Sequence, residues 1–183
     1  MEPEVAENQR KMTPEMIMAV SALLVSLVTA VATIHSAYTS RAYARASLWP
    51  NLGAGVSFND TGFRFLLMNR GTGPAMIQSM RVEYDGKPMH NWQQLLNQFD
   101  PKFRGSWGSS FVSRVTLPTN QMLDALTVSD KKLARQMYDA SDKLKVEICY
   151  CSVYDECWIT SDIEQQNQPV TQCPDRTEWN FAN

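Results

Sequence analysis

One stretch, residues 16–40, limits the folds open to this chain more than any other feature of the sequence. Its twenty-five residues include no formally charged side chain, no glycine and no proline. An α-helix rises about 1.5 Å per residue, so about 20 residues cross the roughly 30 Å hydrocarbon core of a bilayer. We therefore predict a transmembrane helix over residues 16–40, preceded by an N-terminal tail over residues 1–15.

A cleaved signal peptide is the alternative interpretation of this apolar stretch. Signal peptides combine a positively charged start with an apolar run of about 7–15 residues and a small-residue cleavage site. Here the run is longer, and the first fifteen residues hold four glutamates against Arg10 and Lys11. Both features favour a helix that remains part of the chain.

Small side chains recur along one face of the predicted helix. This small-residue seam is formed by Ala22, Ser26, Thr29, Thr33 and Ser36. Lipid provides no hydrophobic drive between helices, so membrane helices associate through small residues that permit close approach. The seam predicts a contact with a second copy of the chain or with a partner helix. The alternative is that these residues face lipid.

The basic residues that flank the helix do not decide its orientation. The cytoplasmic ends of membrane helices carry an excess of Lys and Arg. Arg10 and Lys11 at one end are balanced here by Arg41 and Arg45 at the other. The acidic tail favours a domain inside the cell, whereas the cysteines favour one outside. We expect a single-pass membrane protein with its domain on the extracytoplasmic side.

The rest of the chain predicts one globular domain on a short stalk. Residues 41–49 contain no helix breaker, so we expect the helix to continue as a stalk that ends before Pro50. Residues 50–161 alternate apolar and polar side chains between turn signals, which indicates β-strands. Residues 162–183 form a polar tail that we expect to pack on the domain through Trp179 and Phe181.

About six strands and two short helices are predicted in this domain. The strands lie at residues 52–58, 63–68, 76–84, 111–117, 144–151 and 157–161. The helices lie at residues 90–99 and 130–140, capped by Asn91 and Ser129. Residues 100–110 are predicted to be a loop. The fold class is therefore mostly β, of the α+β type, with an antiparallel β-sandwich-like domain after the membrane helix and stalk.

Two details of side-chain placement follow from the strand period. In the third strand Met76, Met80, Val82 and Tyr84 are expected to share one face. That strand should end in a tight hairpin at Asp85 and Gly86.

The cysteines form the strongest constellation of reactive side chains. All four, Cys149, Cys151, Cys157 and Cys173, fall in the last 35 residues. A hairpin symmetrical about Tyr154 would place Cys151 opposite Cys157 and leave Cys149 to pair with Cys173. An even cluster favours disulfides and an oxidising compartment. Free thiols and a zinc site are the alternatives, although the spacing lacks the paired knuckles of structural zinc.

No catalytic constellation is evident in the sequence. General acid–base chemistry most often uses histidine, and we expect His35 to lie at the membrane interface and His90 to cap a helix or face solvent. We predict no enzymatic activity, no cofactor and no metal. With a net charge of −2 and scattered basic residues, we also predict no nucleic-acid partner.

Aromatic side chains in the irregular segment suggest a place for a partner. Trp92, Phe103 and Trp107 crowd the region between the third and fourth predicted strands. Loops on a rigid sheet often carry recognition, so these residues are candidates for partner binding. The alternative is that they cover an open edge of the core.

The function expected from the sequence is that of a membrane-anchored binding or accessory protein. Its β domain would engage a protein partner, a complex subunit or a second copy of the chain. The alternative is a membrane-bound sensor or effector with a cytosolic domain, which acts by clustering of its transmembrane helices.

Overall fold

The computed structural model describes residues 13–161, 167–175, 179 and 181–182. Residues 1–12 of the expected N-terminal tail, which include Arg10 and Lys11, lie outside the described residues. The same holds for residues 162–166, 176–178, 180 and 183 of the C-terminal tail. The chain divides into two compact units, with the division between Ala44 and Arg45.

One long apolar helix runs through the described part of the first unit and ends three residues beyond it. Helix α1 (Pro14–Ser47) has 34 residues, none of which is buried. It is the one helix of the described ranges that is long and apolar enough to cross a membrane. It ends before Pro50, as the restriction on residues preceding proline predicts. The hydroxyls of Ser26, Thr29 and Thr33 each donate to the carbonyl one turn earlier, at 2.8 Å, so these polar groups are satisfied within the helix.

The described residues of the second unit form ten strands, two further α-helices and a short 3-10 helix (Ser141–Lys143). The α-helices are α2 (Trp92–Phe99) and α3 (Lys131–Asp139). The strands, in chain order, are β1 (Leu52–Asn59), β2 (Gly62–Asn69), β3 (Ala75–Tyr84), β4 (Lys87–Met89), β5 (Trp107–Ser109), β6 (Thr116–Leu117), β7 (Met122–Val128), β8 (Leu144–Cys151), β9 (Cys157–Ser161) and β10 (Gln168–Val170).

The strands form two antiparallel sheets. One has the order β1-β2-β7-β5, and the other has the order β10-β9-β8-β3-β4, with β6 also paired to β3. Buried side chains of both sheets and of α2 and α3 belong to one hydrophobic core. The predicted α+β class with antiparallel strands is confirmed at this level.

The predicted hairpin turn and one of the two predicted helix caps are confirmed by the structure. Asp85 and Gly86 both have positive φ, at 50° and 73°, and join β3 to β4 as a two-residue hairpin. Asn91 caps α2, because its side-chain oxygen accepts a hydrogen bond from the Gln94 amide at 2.8 Å. For α3 the predicted cap is wrong by one residue: Asp130, not Ser129, accepts from the Leu133 amide.

The predicted shared face of the third strand is wrong at Met76, because the strand contains a β-bulge. The pairing of β3 with β8 shifts register between Ile77 and Ser79. The extra residue reverses the side-chain alternation upstream of it. Ile77 is therefore buried together with Met80 and Val82, whereas Met76, predicted to share their face, is only half-buried.

The segment between α2 and α3 differs most from the sequence-based prediction. Only Thr116 and Leu117 of the predicted strand 111–117 are in a strand, because Arg114 adopts a φ of 63° that extended backbone does not allow. The predicted loop 100–110 contains the short strand β5. Strand β7 lies between β2 and β5 in the first sheet, in a region where the sequence analysis predicts no helix or strand.

One buried tyrosine links the two sheets. The Leu52 amide, at the start of β1, donates a hydrogen bond to the Tyr150 hydroxyl of β8 at 3.3 Å. Removal from water raises the pKa of the Tyr150 hydroxyl to about 12, while the Leu52 amide acts more weakly in the opposite direction. Tyr150 is therefore neutral in the folded domain over the physiological pH range.

Candidate functional site at the two disulfides

The period of β8 brings two cysteines to one face of the second sheet. Cys149 and Cys151 are two residues apart, so their side chains point to the same side of the strand. Their face is opposite to that of Val146, Ile148 and Tyr150, which belong to the core. Both cysteines are buried, and the chain that covers them comes from β9 and from the C-terminal tail.

The first disulfide closes the hairpin between β8 and β9. Cys151 and Cys157 are direct partners in the strand register and are joined by a disulfide. The turn between them is ordered by Ser152, whose hydroxyl accepts hydrogen bonds from the Tyr154 and Glu156 amides at 3.1 and 3.4 Å. This is the pairing that a hairpin symmetrical about Tyr154 favours.

The second disulfide ties the tail to β8. Cys149 is bonded to Cys173, with 5.6 Å between their Cα atoms. The neighbouring residue of the tail is also fixed, because the Ser79 hydroxyl of β3 donates to the Pro174 carbonyl at 3.2 Å. Ser79 and Cys149 face each other in the register of β3 and β8, so the tail is held at two adjacent strands.

The sulfur atoms of the two disulfides touch. The Sγ atoms of Cys151 and Cys173 belong to different bridges and lie 3.8 Å apart. With Cys157, they form a group of three sulfur atoms within 4.8 Å of one another. All four cysteines are in disulfides. Metals bind the thiolate form of cysteine, and in this oxidised state the cluster presents disulfide sulfurs and no thiolates.

A cavity opens beside the sulfur cluster. Its volume is about 490 Å³, within the range of small-ligand sites. Cys151, Cys157 and Cys173 form part of its wall. The rest of the wall comes from β3, from the loop before β6, from the β8–β9 turn and from the tail, and it includes Gln78, Arg114, Asp155, Gln172 and Asp175. We name this assembly of the two disulfides and the cavity the disulfide corner.

Backbone geometry places the charged groups of the disulfide corner. Arg114 is held against β3 because its amide donates to the Ile77 carbonyl at 2.8 Å, and the Ile77 amide donates to the Val115 carbonyl at 2.9 Å. Asp155, at the β8–β9 turn, has a φ of 59°. The cavity wall therefore carries a guanidinium and carboxylates, all on exposed side chains.

The aromatic residues proposed from sequence do not form a surface. Trp92 is 1% exposed and Phe103 is 7% exposed. Trp92 packs edge-on against Phe181 of the tail, with ring centroids 4.7 Å apart. Trp107 is half-buried on β5 and packs against the same core. Trp92 and Phe103 are therefore core side chains, whose large apolar area is removed from water, whereas partner binding by the half-buried Trp107 stays a prediction.

The small-residue seam remains a prediction. Ala22, Ser26, Thr29, Thr33 and Ser36 are exposed on α1. The hydroxyls of Ser26, Thr29 and Thr33 are already bonded to helix carbonyls, as described above. A hydroxyl can accept a further hydrogen bond, so this arrangement is compatible with either a helix contact or a lipid-facing surface.

Several residues of the disulfide corner could not be identified from the sequence. Gln78 and Arg114 reach it because of the β3 bulge and the positive φ of Arg114, and neither feature has a marker at those positions. Asp155 lies in a turn beside Glu156, and an acidic turn does not by itself indicate a site. The spacing of the cysteines is the one feature of the sequence that indicates the disulfide corner.

Comparison with known proteins gives no relative for this chain. No protein-family model matches the sequence, and neither the curated proteins nor the solved structures include a significant match.

Proposed function

We propose that this chain is a single-pass membrane protein whose β-rich domain faces an oxidising, extracytoplasmic compartment and binds a protein partner without catalysing a reaction. The observation that carries the proposal is the pair of disulfides in the domain that follows α1. Disulfides persist in secreted and periplasmic compartments and are rare in the cytosol.

Helix α1 supports the proposal that the chain is anchored in a membrane. Its apolar side chains are exposed along its length, including Leu23, Val28 and Ile34, each more than 65% accessible. A water-soluble protein rarely leaves an apolar surface of this extent uncovered. A hydrocarbon environment would cover it.

We further infer that the two sheets pack face to face as a β-sandwich. Support comes from the shared core and from the hydrogen bond between Leu52 in one sheet and Tyr150 in the other. A scaffold of this kind holds loops and turns in fixed positions, which is the arrangement that many binding domains use.

We assign partner binding to the disulfide corner. Two disulfides fix its walls, so little conformational entropy would be lost when a partner binds. Arg114 and the carboxylates of Asp155 and Asp175 offer charges of both signs on its rim. The partner would be a protein segment that places one small side chain in the cavity and charged side chains against its rim.

A site-specific cross-link tests the binding site. A photoreactive amino acid replaces Gln172, on the cavity wall, in the full chain expressed in its own cells. The matched control carries the same group at Asp60, which is exposed in the turn between β1 and β2. We expect a discrete higher-mass adduct from position 172 and none from position 60. Equal adducts at both positions, or none at either, would contradict the assignment.

Extraction and protease protection test the anchor and its orientation. We expect the chain to remain in the membrane pellet after alkaline carbonate washing. We expect protease added to intact cells or spheroplasts to digest the domain. Digestion only after permeabilisation would favour the cytosolic sensor that acts by helix clustering.

A further inference from the structure

We propose that the two disulfides are exchange partners, so that a small-molecule thiol entering the cavity switches Cys173 from Cys149 to Cys151. The site is the sulfur cluster of the disulfide corner, and the reactant class is a low-molecular-weight thiol with a carboxylate, of which glutathione is an example. The result is a covalently modified domain whose tail remains attached through a different cysteine.

The strand geometry makes Cys173 available to two cysteines. Cys149 and Cys151 are on the same face of β8, and residues two apart along a strand are about 7 Å from each other. Cys173 is bonded to Cys149, and its Sγ lies 3.8 Å from the Sγ of Cys151. Thiol–disulfide exchange proceeds by attack of a thiolate on a disulfide sulfur. The two sulfurs that must react are therefore already in contact.

The cavity supplies the path for the first step. Cys151 and Cys157 both lie on the cavity wall, but the Sγ of Cys151 already has Cys173 against one side. The entering thiol therefore bonds to Cys157. A volume of about 490 Å³ accommodates a small peptide thiol. The guanidinium of Arg114 on the same wall can pair with its carboxylate.

The sequence of steps balances in atoms and electrons. The thiolate of the small molecule forms a bond with the Cys157 sulfur, and the Cys151–Cys157 bond breaks with its electron pair on Cys151. The Cys151 thiolate then bonds to the Cys173 sulfur, and the Cys149–Cys173 bond breaks with its electron pair on Cys149. The Cys149 thiolate takes a proton from solvent. The small thiol is oxidised to a mixed disulfide, and Cys149 is reduced.

Two reciprocal variants of the full chain in detergent micelles test the exchange. In Cys157→Ser, Cys151 starts as a thiol beside the Cys149–Cys173 bridge, and we expect part of the population to carry a Cys151–Cys173 bond with Cys149 free. In Cys149→Ser, the free Cys173 thiol should displace Cys157 from Cys151. The same Cys151–Cys173 bond is expected from both directions.

Peptide mapping distinguishes the isomers. The protein is quenched in acid, its free thiols are alkylated in denaturant, and the digest is analysed by mass spectrometry without reduction. Trypsin leaves all four cysteines on one peptide between Lys145 and Arg176. Chymotrypsin cleaves after Tyr150 and thus separates Cys149 from Cys151. Alkylation of Cys149 in C157S supports the proposal. Alkylation of Cys151 alone, with Cys149–Cys173 intact, overturns it.

The unmodified protein provides a test that does not depend on the folding of a variant. It is incubated with glutathione under the same conditions and mapped in the same way. Glutathione on Cys157 together with alkylated Cys149 supports the proposal. Glutathione on Cys151, or a protein that keeps both original bridges, overturns it. These outcomes concern the purified full chain in micelles and are independent of membrane orientation.

Discussion

The buried side chain of Asn69 offers the sharpest prediction about the stability of the domain. Asn69 is fully buried at the end of β2 and makes four side-chain hydrogen bonds, all to backbone groups. Its Nδ2 donates to the carbonyls of Gly73 and Leu117 at 2.8 and 3.0 Å. Its Oδ1 accepts from the amides of Asn51 and Gly71 at 3.2 and 3.0 Å. One side chain thus connects the entry to β1, the β2–β3 turn and the end of β6.

Replacing Asn69 with Ala should destabilise the domain substantially. The substitution leaves two carbonyls and two amides without their partners. A hydrogen bond contributes about 1 kcal/mol net, and a buried group left unsatisfied costs about 1–3 kcal/mol. Allowing for entry of water at some of these groups, we expect a loss of about 3 kcal/mol. For a domain of this size that corresponds to a fall in Tm of about 10 °C.

Thermal unfolding of the full chain in micelles, followed by tryptophan fluorescence, measures this loss. The matched control is Asn59→Ala, because Asn59 also accepts a hydrogen bond, from the Thr61 amide at 2.9 Å, but is exposed. Water can replace that bond, so the control should lose less than about 1 kcal/mol. If N69A and N59A lowered the Tm by the same amount, the reasoning from buried hydrogen bonds would be refuted.

Three further changes have expected outcomes. The folded-state pKa of Tyr150 is raised from its ordinary value of about 10 to about 12. The neutral hydroxyl therefore makes its full contribution to the free energy of unfolding below pH 10. As pH rises from 10 to 12, roughly 2–3 kcal/mol should be lost; Tyr150→Phe should remove that pH dependence and the last step of the tyrosinate absorbance titration. Asp130→Ala removes the cap of α3 and should cost about 1 kcal/mol in denaturant unfolding, with a change below half of that refuting the cap assignment. Trp92→Ala should cost about 3–5 kcal/mol and yet leave cross-linking from position 172 intact in protein that remains folded; specific loss of the cross-link would restore Trp92 as a binding residue.

Elements governed by local chemistry could be predicted from sequence. The apolar run of α1, the Asp85–Gly86 turn and the Asn91 cap each depend on neighbouring residues alone, and each occurs where expected. The cysteine pairing also follows from a local rule. Cys151 and Cys157 are equidistant from Tyr154, so a regular hairpin places them opposite each other.

Elements that depend on tertiary contacts could not be predicted. Strand β7 contains Asp124 and Ala125, which disfavour strands, and it forms because both of its neighbours in the sheet supply hydrogen bonds. The β3 bulge is set by pairing with β8 and has no sequence marker of its own. The short strand β10 depends on β9 in the same way.

The candidate site was partly predictable for the same reason. Cysteine is rare and reactive, so its clustering pointed to the disulfide corner. Arg114 reaches the cavity through a left-handed backbone conformation, and Gln78 reaches it through the bulge. Two of the three aromatic candidates, Trp92 and Phe103, lie on the inner side of their segment, where helix α2 and the tail close over the core. A cluster of aromatic residues in the sequence does not show whether their side chains face the core or the solvent.

The central claim, that the domain lies in an oxidising compartment, can be tested by counting its disulfide-bonded cysteines in expressing cells. Intact cells are treated with a membrane-permeant alkylating reagent that blocks free thiols, then dissolved in denaturant, reduced and labelled with a polyethylene glycol maleimide. We predict that the full chain carries four labels, one for each of Cys149, Cys151, Cys157 and Cys173. A chain that carries no label, because all four thiols were free and blocked at the first step, would contradict the claim.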